Sequence, residues 1–224
     1  MTDLQCASLQ GPFCDAPQGP ANSALILLHG WGADGHDLAS LAPYLQASLP
    51  QLALYTPHAP DICSANPMGR QWFELSERFF ANPAASEADM DKAAAVISEA
   101  VMAFSEAISL PQTRIMLGGF SQGGMMTLHL ASQGRLPMAG YISIAGALVV
   151  PDAVQEATSH SAPITLIHGA RDEVVPFQAM SRAEDRLSTA GYQVTSHTRP
   201  EMGHAIDAET ISHIIAAFTA MPNV

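Results

Sequence analysis

The sequence predicts an α/β fold in which a mostly parallel β-sheet carries helices on both faces. Short apolar runs recur along the chain, and most are continuous rather than alternating, as in strands that are buried on both faces. Segments of helix length separate these runs, so strands and helices alternate as they do in a parallel sheet. These two patterns together predict the fold class.

Five apolar runs are predicted core strands, and a sixth strand is predicted where polar and apolar residues alternate as at a sheet edge. The core strands are residues 24–28, 52–55, 115–117, 141–144 and 164–167, and the edge strand is residues 192–197. Helices are predicted over residues 37–48, 88–108, 122–133, 177–189 and 208–220. We expect residues 22–224 to form one domain, with residues 1–21 as an N-terminal extension or an edge strand of it.

The composition is that of an acidic globular protein. Hydrophobic residues make up 48% of the 224 residues and charged residues only 13%, which suits one well-filled core. Nine lysines and arginines against 21 acidic residues give a net charge of −12, and the arginines do not cluster. Nucleic acid is therefore a poor partner for this chain.

We expect neither a standard export signal nor a membrane anchor. The first residues do not form a basic region followed by an apolar stretch, which is the pattern of a signal peptide. The apolar runs of the sequence are shorter than the ~20 residues that span a bilayer. Three cysteines (Cys6, Cys14 and Cys63) leave at least one unpaired, which fits a reducing compartment. We expect a cytoplasmic protein without stable membrane insertion.

Ser121 is the candidate nucleophile. It lies in the run Gly-Gly-Phe-Ser-Gln-Gly-Gly at 118–124, between a predicted strand and a predicted helix. Gly119 and Gly123 allow so sharp a turn because a Cβ at either position would collide with neighbouring backbone, while Ser121 takes a strained, exposed conformation. Glycine-flanked serines also occur in ordinary turns, so the partners of Ser121 decide the interpretation.

A serine nucleophile needs a histidine base and, usually, a carboxylate that orients it. In parallel α/β sheets such groups gather beyond the carboxyl ends of the strands, which favours His204, in the loop before the last helix, over histidines within helices or strands. The same argument selects Asp172, just after the fifth strand, with Glu173 as its competitor. The order serine, acid, histidine is that of the α/β-hydrolase fold.

Two backbone N–H groups are predicted to bind the oxyanion that forms when a carbonyl is attacked. One is the N–H of Gln122, directly after the nucleophile. The other is the N–H of Trp31, in the glycine-rich loop after the first predicted strand, where His29 is expected to be structural. No cysteine and histidine spacing indicates a metal site, and this chemistry needs no cofactor.

Four motifs resemble the phospholipase/carboxylesterase family, which includes bacterial carboxylesterases and acyl-protein thioesterases. They are Leu-His-Gly-Trp-Gly-Ala-Asp-Gly-His-Asp-Leu at 28–38, Gly-Phe-Ser-Gln-Gly-Gly at 119–124, His-Gly-Ala-Arg-Asp-Glu-Val-Val-Pro at 168–176 and Met-Gly-His at 202–204. The resemblance implies an α/β hydrolase without a cap domain that acts on carboxylic esters. It also implies that the loop at 67–73 shapes an acyl pocket, with Gln71, Trp72 and Phe73 binding substrate; plain core packing is the alternative for Trp72 and Phe73.

The sequence leaves the substrate and the assembly open. A small-molecule ester is the expected substrate, and an acyl-protein thioesterase or a lysophospholipase would use the same triad. A noncatalytic binding protein on the same fold is the alternative from another class. The segment between residues 146 and 163 is too short for a helical cap, so we expect an open site on a monomer or a homodimer.

Overall fold

An eight-stranded β-sheet forms the centre of the structure, a computed structural model that describes residues 1–221. Pro222, Asn223 and Val224, the end of the domain predicted from the sequence, lie outside the described residues. The strands, in chain order, are β1 (Thr2–Cys6), β2 (Leu9–Cys14), β3 (Ser23–Leu28), β4 (Leu52–Tyr55), β5 (Asp61–Ile62), β6 (Arg70–Gln71), β7 (Ile115–Phe120), β8 (Gly140–Ile144), β9 (Ile164–Gly169) and β10 (Val194–Arg199).

The sheet order is β1-β2-β4-β3-β7-β8-β9-β10, and β5 and β6 form a separate antiparallel hairpin. All neighbours from β4 to β10 run parallel, whereas β1 and β2 form an antiparallel hairpin whose second strand pairs antiparallel with β4. Residues that the sequence left as an extension or an edge strand thus continue the sheet. The predicted mostly parallel sheet is confirmed.

The α-helices cover the sheet on both faces. They are α1 (Gly35–Ala39), α2 (Ala42–Ser48), α3 (Glu77–Ala81), α4 (Glu87–Ala107), α5 (Gln122–Gln133), α6 (Gln178–Thr189) and α7 (Ala208–Thr219). Alternate residues of one strand enter different cores: Ile26 and Leu28 pack with α4, α5 and α6, whereas Leu25 and Leu27 pack with α1, α2 and α7. Because side chains alternate across a strand, these are the two faces of the sheet.

Two predicted elements differ from the structure. The helix predicted over residues 37–48 is two helices, because Pro43 has no N–H to donate within a helix and instead stands in the first turn of α2. The edge strand predicted at 192–197 runs two residues later, as β10. Tyr192 precedes β10 and is only 6% exposed. Its hydroxyl donates a hydrogen bond to the carbonyl of Ser132.

The loops that face the carboxyl ends of the strands contain little regular structure. Residues 57–73 carry only the β5–β6 hairpin, and the segment between β8 and β9 forms one short 3-10 helix, Pro151–Ala153. No helical cap is inserted in that segment, as predicted. Among residues 1–221, none of the helices combines the length and the apolar character needed to cross a bilayer.

Candidate active site

Ser121 occupies the junction between β7 and α5, where its backbone is strained. Its φ is 55° and its ψ is −116°, a region that residues other than glycine rarely adopt. A Cβ added at Gly119 would lie 2.2 Å from the Gly123 backbone, and one added at Gly123 would lie 2.0 Å from the carbonyl oxygen of Leu28. Both glycines are therefore required for the sharp turn that the Gly-x-Ser-x-Gly pattern predicts.

His204 lies between Ser121 and Asp172, within hydrogen-bonding distance of both. Its Nε2 is 2.9 Å from the Oγ of Ser121, and its Nδ1 is 2.8 Å from the Oδ2 of Asp172. An ionised carboxylate only accepts hydrogen bonds, so Nδ1 carries the proton and Nε2 is left to accept one from the serine hydroxyl. The structure thus brings together the three side chains that the sequence analysis selected.

Asp172 is a buried carboxylate just beyond the end of β9. Its side chain is 0% exposed, and its Oδ1 accepts hydrogen bonds of 2.9 Å from the N–H groups of Val174 and Val175. Burial raises the pKa of this carboxyl, but the hydrogen bonds from His204 and from the two N–H groups outweigh burial and hold that pKa below its ordinary value. Glu173, the competing acid, is exposed, and the Nδ1 of His204 pairs with Asp172 instead.

The loop that carries His204 is fixed against the ends of β9 and β10. A Cβ added at Gly169 would lie 2.2 Å from the carbonyl oxygen of Met202, so only glycine lets this loop approach β9 so closely. On the other side, Arg199 at the end of β10 pairs with Asp207, which caps the N-terminus of α7, at 2.9 Å between Nη2 and Oδ2. His204 therefore sits between two anchored points.

The N–H groups of Trp31 and Gln122 donate to no acceptor within residues 1–221. Gln122 is the first residue of α5, where intrahelical acceptors are lacking and the helix dipole favours negative charge. The loop of Trp31 lies beside Ser121, because a Cβ added at Gly30 would lie 3.3 Å from the Cβ of Ser121. Both predicted oxyanion donors are available for a ligand, and each belongs to a backbone segment next to Ser121.

His29 holds the start of the loop that contains Trp31 in place. It is 0% exposed, its Nδ1 is 2.7 Å from the carbonyl oxygen of Gly30, and its Nε2 is 3.0 Å from the N–H of Ala59. The carbonyl accepts and the amide donates, so Nδ1 carries the proton and the ring is neutral. Burial is the main cause that lowers the pKa of His29 to about 4. The sequence analysis expected a structural histidine at this position.

The side chains of the segment at 71–73 are buried and are not exposed at the surface of the site. Gln71, Trp72 and Phe73 are only 5%, 2% and 2% exposed. The side-chain amide of Gln122 pairs with this segment, accepting from the N–H of Trp72 at 2.9 Å and donating to the carbonyl of Phe73 at 2.7 Å. Two hydrogen bonds therefore join the first residue of α5 to the segment predicted to shape the acyl pocket.

A family model described as Phospholipase/Carboxylesterase matches residues 9–221, which includes every element from β2 to α7. The chain belongs to this family. The resemblance carried by the four sequence motifs is thereby confirmed, and with it the membership of a hydrolase family. Within the part of the chain that the structure describes, histidines, cysteines and acidic residues form no group of three or more that could hold a metal ion.

Relatives of the phospholipase/carboxylesterase family resemble this chain over most of its length. Acyl-protein thioesterase 1 of Neurospora crassa is 29% identical over 211 residues, which cover 86% of this chain and 84% of that protein. The crystal structure of esterase PE8 has a TM-score of 0.84 at 30% identity and covers 96% of this chain and 99% of its own. The Bacillus cereus carboxylesterase, at 17% identity, shares the fold with a TM-score of 0.79 over 95% and 94% of the two chains. The fold is the predicted α/β-hydrolase fold.

The sequence analysis missed two residues of the site. The Nε2 of His168 lies 3.3 Å from the Oδ2 of Asp172, so a second histidine approaches the carboxylate that His204 contacts. Phe120 packs its ring against the imidazole of His204. Both positions lie within the quoted motifs: Phe120 directly precedes Ser121, and His168 precedes Asp172 by four residues. That proximity was the available signal, but it does not show where a side chain points.

Proposed function

We propose that this member of the family is a serine carboxylesterase that hydrolyses carboxylic esters through an acyl-enzyme on Ser121. The observation that carries the proposal is the hydrogen-bonded line from Ser121 Oγ to His204 Nε2 at 2.9 Å and from His204 Nδ1 to Asp172 Oδ2 at 2.8 Å. A serine hydroxyl becomes an effective nucleophile when a neighbouring base takes its proton during attack. This arrangement supplies the base and the group that orients it.

In the acylation step, Ser121 Oγ forms a bond with the carbonyl carbon of the ester, and its proton passes to His204 Nε2. The carbonyl electron pair moves onto oxygen, and we assign the N–H groups of Trp31 and Gln122 to hold that oxyanion. When the tetrahedral intermediate collapses, the bond to the leaving alkoxide breaks and His204 returns the proton to it. The acyl group remains on Ser121.

In the deacylation step, His204 takes a proton from water, whose oxygen attacks the acyl carbon, and then returns that proton to Ser121 Oγ as the acid leaves. Asp172 stays ionised in both steps and stabilises the protonated imidazole. This role requires a carboxylate that does not take up the proton. The lowered pKa of Asp172, in which the hydrogen bonds outweigh burial, supports that requirement.

The acyl chain is proposed to lie beside the segment of Gln71, Trp72 and Phe73. Because these side chains are almost fully buried, they support the wall of the pocket rather than line it. The Gln122 amide, through its two hydrogen bonds, fixes the distance of this segment from the nucleophile. We also propose a cytoplasmic monomer or homodimer, and the free thiols of Cys6, Cys14 and Cys63 support a reducing compartment.

A second candidate function is hydrolysis of acyl-protein thioesters with the same three residues. The 29% identity to the Neurospora crassa acyl-protein thioesterase 1 favours it. Hydrolysis of a chain-length series of p-nitrophenyl esters, compared with a palmitoyl thioester and a lysophospholipid, separates these substrates by kcat/KM. We expect turnover of the esters and its loss in Ser121→Ala. Turnover that persists in folded Ser121→Ala would contradict the proposed nucleophile, and no turnover of any substrate by the wild type would favour a binding protein.

A further inference from the structure

We propose that Gln71 is a positioning residue for the oxyanion site and that it acts through the indole of Trp31. The inference rests on the proposed function, because it concerns the Trp31 N–H that is assigned there to the oxyanion. Gln71 is the last residue of β6 and is only 5% exposed. Its side-chain oxygen, Oε1, accepts a hydrogen bond of 3.0 Å from the Nε1–H of Trp31.

The partners of the Gln71 amide fix its orientation. Its nitrogen, Nε2, lies 2.7 Å from the Oε2 of Glu74, and an ionised carboxylate only accepts hydrogen bonds. Its oxygen faces two donors, the indole N–H of Trp31 and, at 3.3 Å, the backbone N–H of Ser64. A flipped amide would turn its own N–H groups against those donors and its oxygen against the carboxylate. Gln71 therefore presents an acceptor to Trp31.

Hydrogen bonds close a ring among Gln71, Glu74 and Ser64. The hydroxyl of Ser64 donates to the Oε1 of Glu74 at 2.7 Å, which holds the carboxylate that in turn holds the Gln71 amide. Both polar atoms of the Gln71 side chain are thus paired within the protein. A direct substrate contact, the role implied by the family resemblance, would have to displace one of these partners. The contacts favour a role through Trp31 instead.

The backbone beside Gln71 holds the residues that follow Trp31. The carbonyl of Arg70 accepts from the N–H of Gly32 at 2.9 Å, and the N–H of Arg70 donates to the carbonyl of Ala33 at 2.7 Å. A Cβ added at Gly69 would lie 2.0 Å from the carbonyl oxygen of Gly32, so the two segments are in close contact. The β5–β6 hairpin therefore holds both the backbone after Trp31 and, through Gln71, its side chain.

The direction of the Trp31 N–H matters because a donor stabilises an oxyanion only when it points at the position of that oxygen. Trp31 is half-buried in a loop, so no helix or strand fixes its peptide. Without Gln71 the indole loses its acceptor, and the ring can take other rotamers and draw its backbone with it. The N–H of Gln122 is fixed by α5, so this loss would weaken one donor of the two.

The test is a double-mutant cycle of Gln71→Met, Trp31→Phe and the combined variant. Methionine removes the amide at similar length, and phenylalanine removes the indole N–H but keeps an aromatic ring and the backbone N–H. We expect each change to lower kcat on a p-nitrophenyl ester by roughly ten- to a hundred-fold with little change in KM. The combined variant should be about as slow as the slower single variant, because both changes remove one contact.

A matched control is Gln193→Met, which replaces an exposed glutamine on another loop. We expect its kcat to stay within two-fold of the wild type. Dividing each rate by the number of sites that a fluorophosphonate labels at completion corrects for protein that is not folded. A merely structural role of Gln71 would then lower the melting temperature without lowering kcat per labelled site.

An alkyl trifluoromethyl ketone reports on the oxyanion directly. The Oγ of Ser121 bonds to its carbonyl carbon, the hydroxyl proton passes to His204, and the carbonyl electron pair stays on the oxygen. This adduct needs the Trp31 N–H as the transition state does. We expect the inhibition constant to rise in Gln71→Met by about the factor by which kcat/KM falls. An unchanged inhibition constant beside a reduced kcat would overturn the inference.

Three kinetic results would also overturn it. If the two factors multiply in the combined variant, Gln71 acts independently of Trp31. A raised KM with an unchanged kcat would indicate a direct substrate contact. A kcat per labelled site of Gln71→Met within two-fold of the wild type would show that the contact has no part in catalysis. A wild type that no fluorophosphonate labels contradicts the proposed function, whereas labelled proteins with any of these results contradict only the role of Gln71.

A measurement on the wild type covers the case in which the variants do not fold. The sequence has two tryptophans, so the spectrum of indole N–H groups contains two signals to assign. We expect the indole N–H of Trp31 to exchange with solvent at least roughly ten-fold more slowly than a free indole, because Gln71 accepts it. Exchange at the rate of a free indole would overturn the inference.

Discussion

The ring of Phe120 packs against the imidazole of His204, with ring centroids 4.8 Å apart and planes inclined at 41°. Phe120 directly precedes Ser121 at the end of β7, so one turn presents Ser121 and also supports His204. Hydrogen bonds hold both nitrogens of His204, but they leave the ring free to tilt about the line between them. The contact with Phe120 restricts that tilt.

Phe120→Ala is expected to lower kcat by roughly ten- to a hundred-fold, because small displacements of a catalytic group have effects of that size. Phe120→Leu, which keeps much of the apolar contact, should lose less. Steady-state kinetics on a p-nitrophenyl ester distinguish the two, and KM should change little because the substrate's own contacts remain. A kcat for folded Phe120→Ala within two-fold of the wild type would show that the aromatic contact has no part in positioning His204.

The choice between Asp172 and Glu173 gives a matched pair of variants. Asp172→Asn is expected to lower kcat by about three to four powers of ten, because an amide at this place favours the wrong histidine tautomer. Glu173→Gln should be near normal, because Glu173 is exposed and the Nδ1 of His204 pairs with Asp172. Near-normal activity of Asp172→Asn, together with a large loss in Glu173→Gln, would reverse the assignment.

The loop of His204 can be displaced through a glycine that is not in the triad. A Cβ added at Gly169 would lie 2.2 Å from the Met202 carbonyl oxygen, whereas one added at Gly203 would be no closer than 3.6 Å to the Arg171 carbonyl oxygen. We expect Gly169→Ala to lower the free energy of unfolding by about 1–3 kcal/mol and to reduce kcat, and Gly203→Ala to do neither. Chemical denaturation and kinetics measure both effects. Equal behaviour of the two variants would contradict the close packing of this loop.

Burial of neutral His29 predicts how stability depends on pH. The pKa of His29 is lowered to about 4, mainly by burial, from an ordinary value of 6.5, so between these pH values the unfolded chain binds a proton that the folded chain does not. The contribution of neutral His29 to the free energy of unfolding is therefore fully present above pH 6.5 and is lost as the pH falls towards 4. The free energy of unfolding changes by at most about 1.4 kcal/mol per pH unit over this range.

Urea unfolding of the wild type and of His29→Gln across that range isolates the contribution of His29. Glutamine does not titrate, so the variant, although less stable at neutral pH, should lose stability less steeply on acidification. Because the other histidines are common to both proteins, their contributions cancel in the difference. Parallel curves for the two proteins would show that His29 is not a neutral, buried group.

The sequence was sufficient to predict the elements whose signals are local. Continuous apolar runs identified the parallel strands β3, β4, β7, β8 and β9, because such strands are buried on both faces. The two glycines around Ser121 predicted its turn, since the turn cannot form with larger residues. His204 and Asp172 could be selected because the carboxyl ends of parallel strands meet at one edge of a sheet.

Features that depend on packing could not be predicted in the same way. The break before α2 arises because Pro43 interrupts a sequence pattern that otherwise predicts one helix. The pairing of β2 with β4 joins residues that are far apart in sequence. His168 resembles any other buried residue of a strand, and its approach to Asp172 depends on the turn at 172–175. The backbone of Trp72 and Phe73 is likewise held by the amide of Gln122, which lies far from them in sequence.

The mass of the intact protein after reaction with a fluorophosphonate, with peptide mapping of the adduct, tests most directly whether Ser121 is the activated nucleophile. The geometry around Ser121, with His204 Nε2 at 2.9 Å from its Oγ, predicts one adduct per chain, located on Ser121 and missing from folded Ser121→Ala. An adduct on another residue, or none on the folded wild type, would contradict the proposed mechanism.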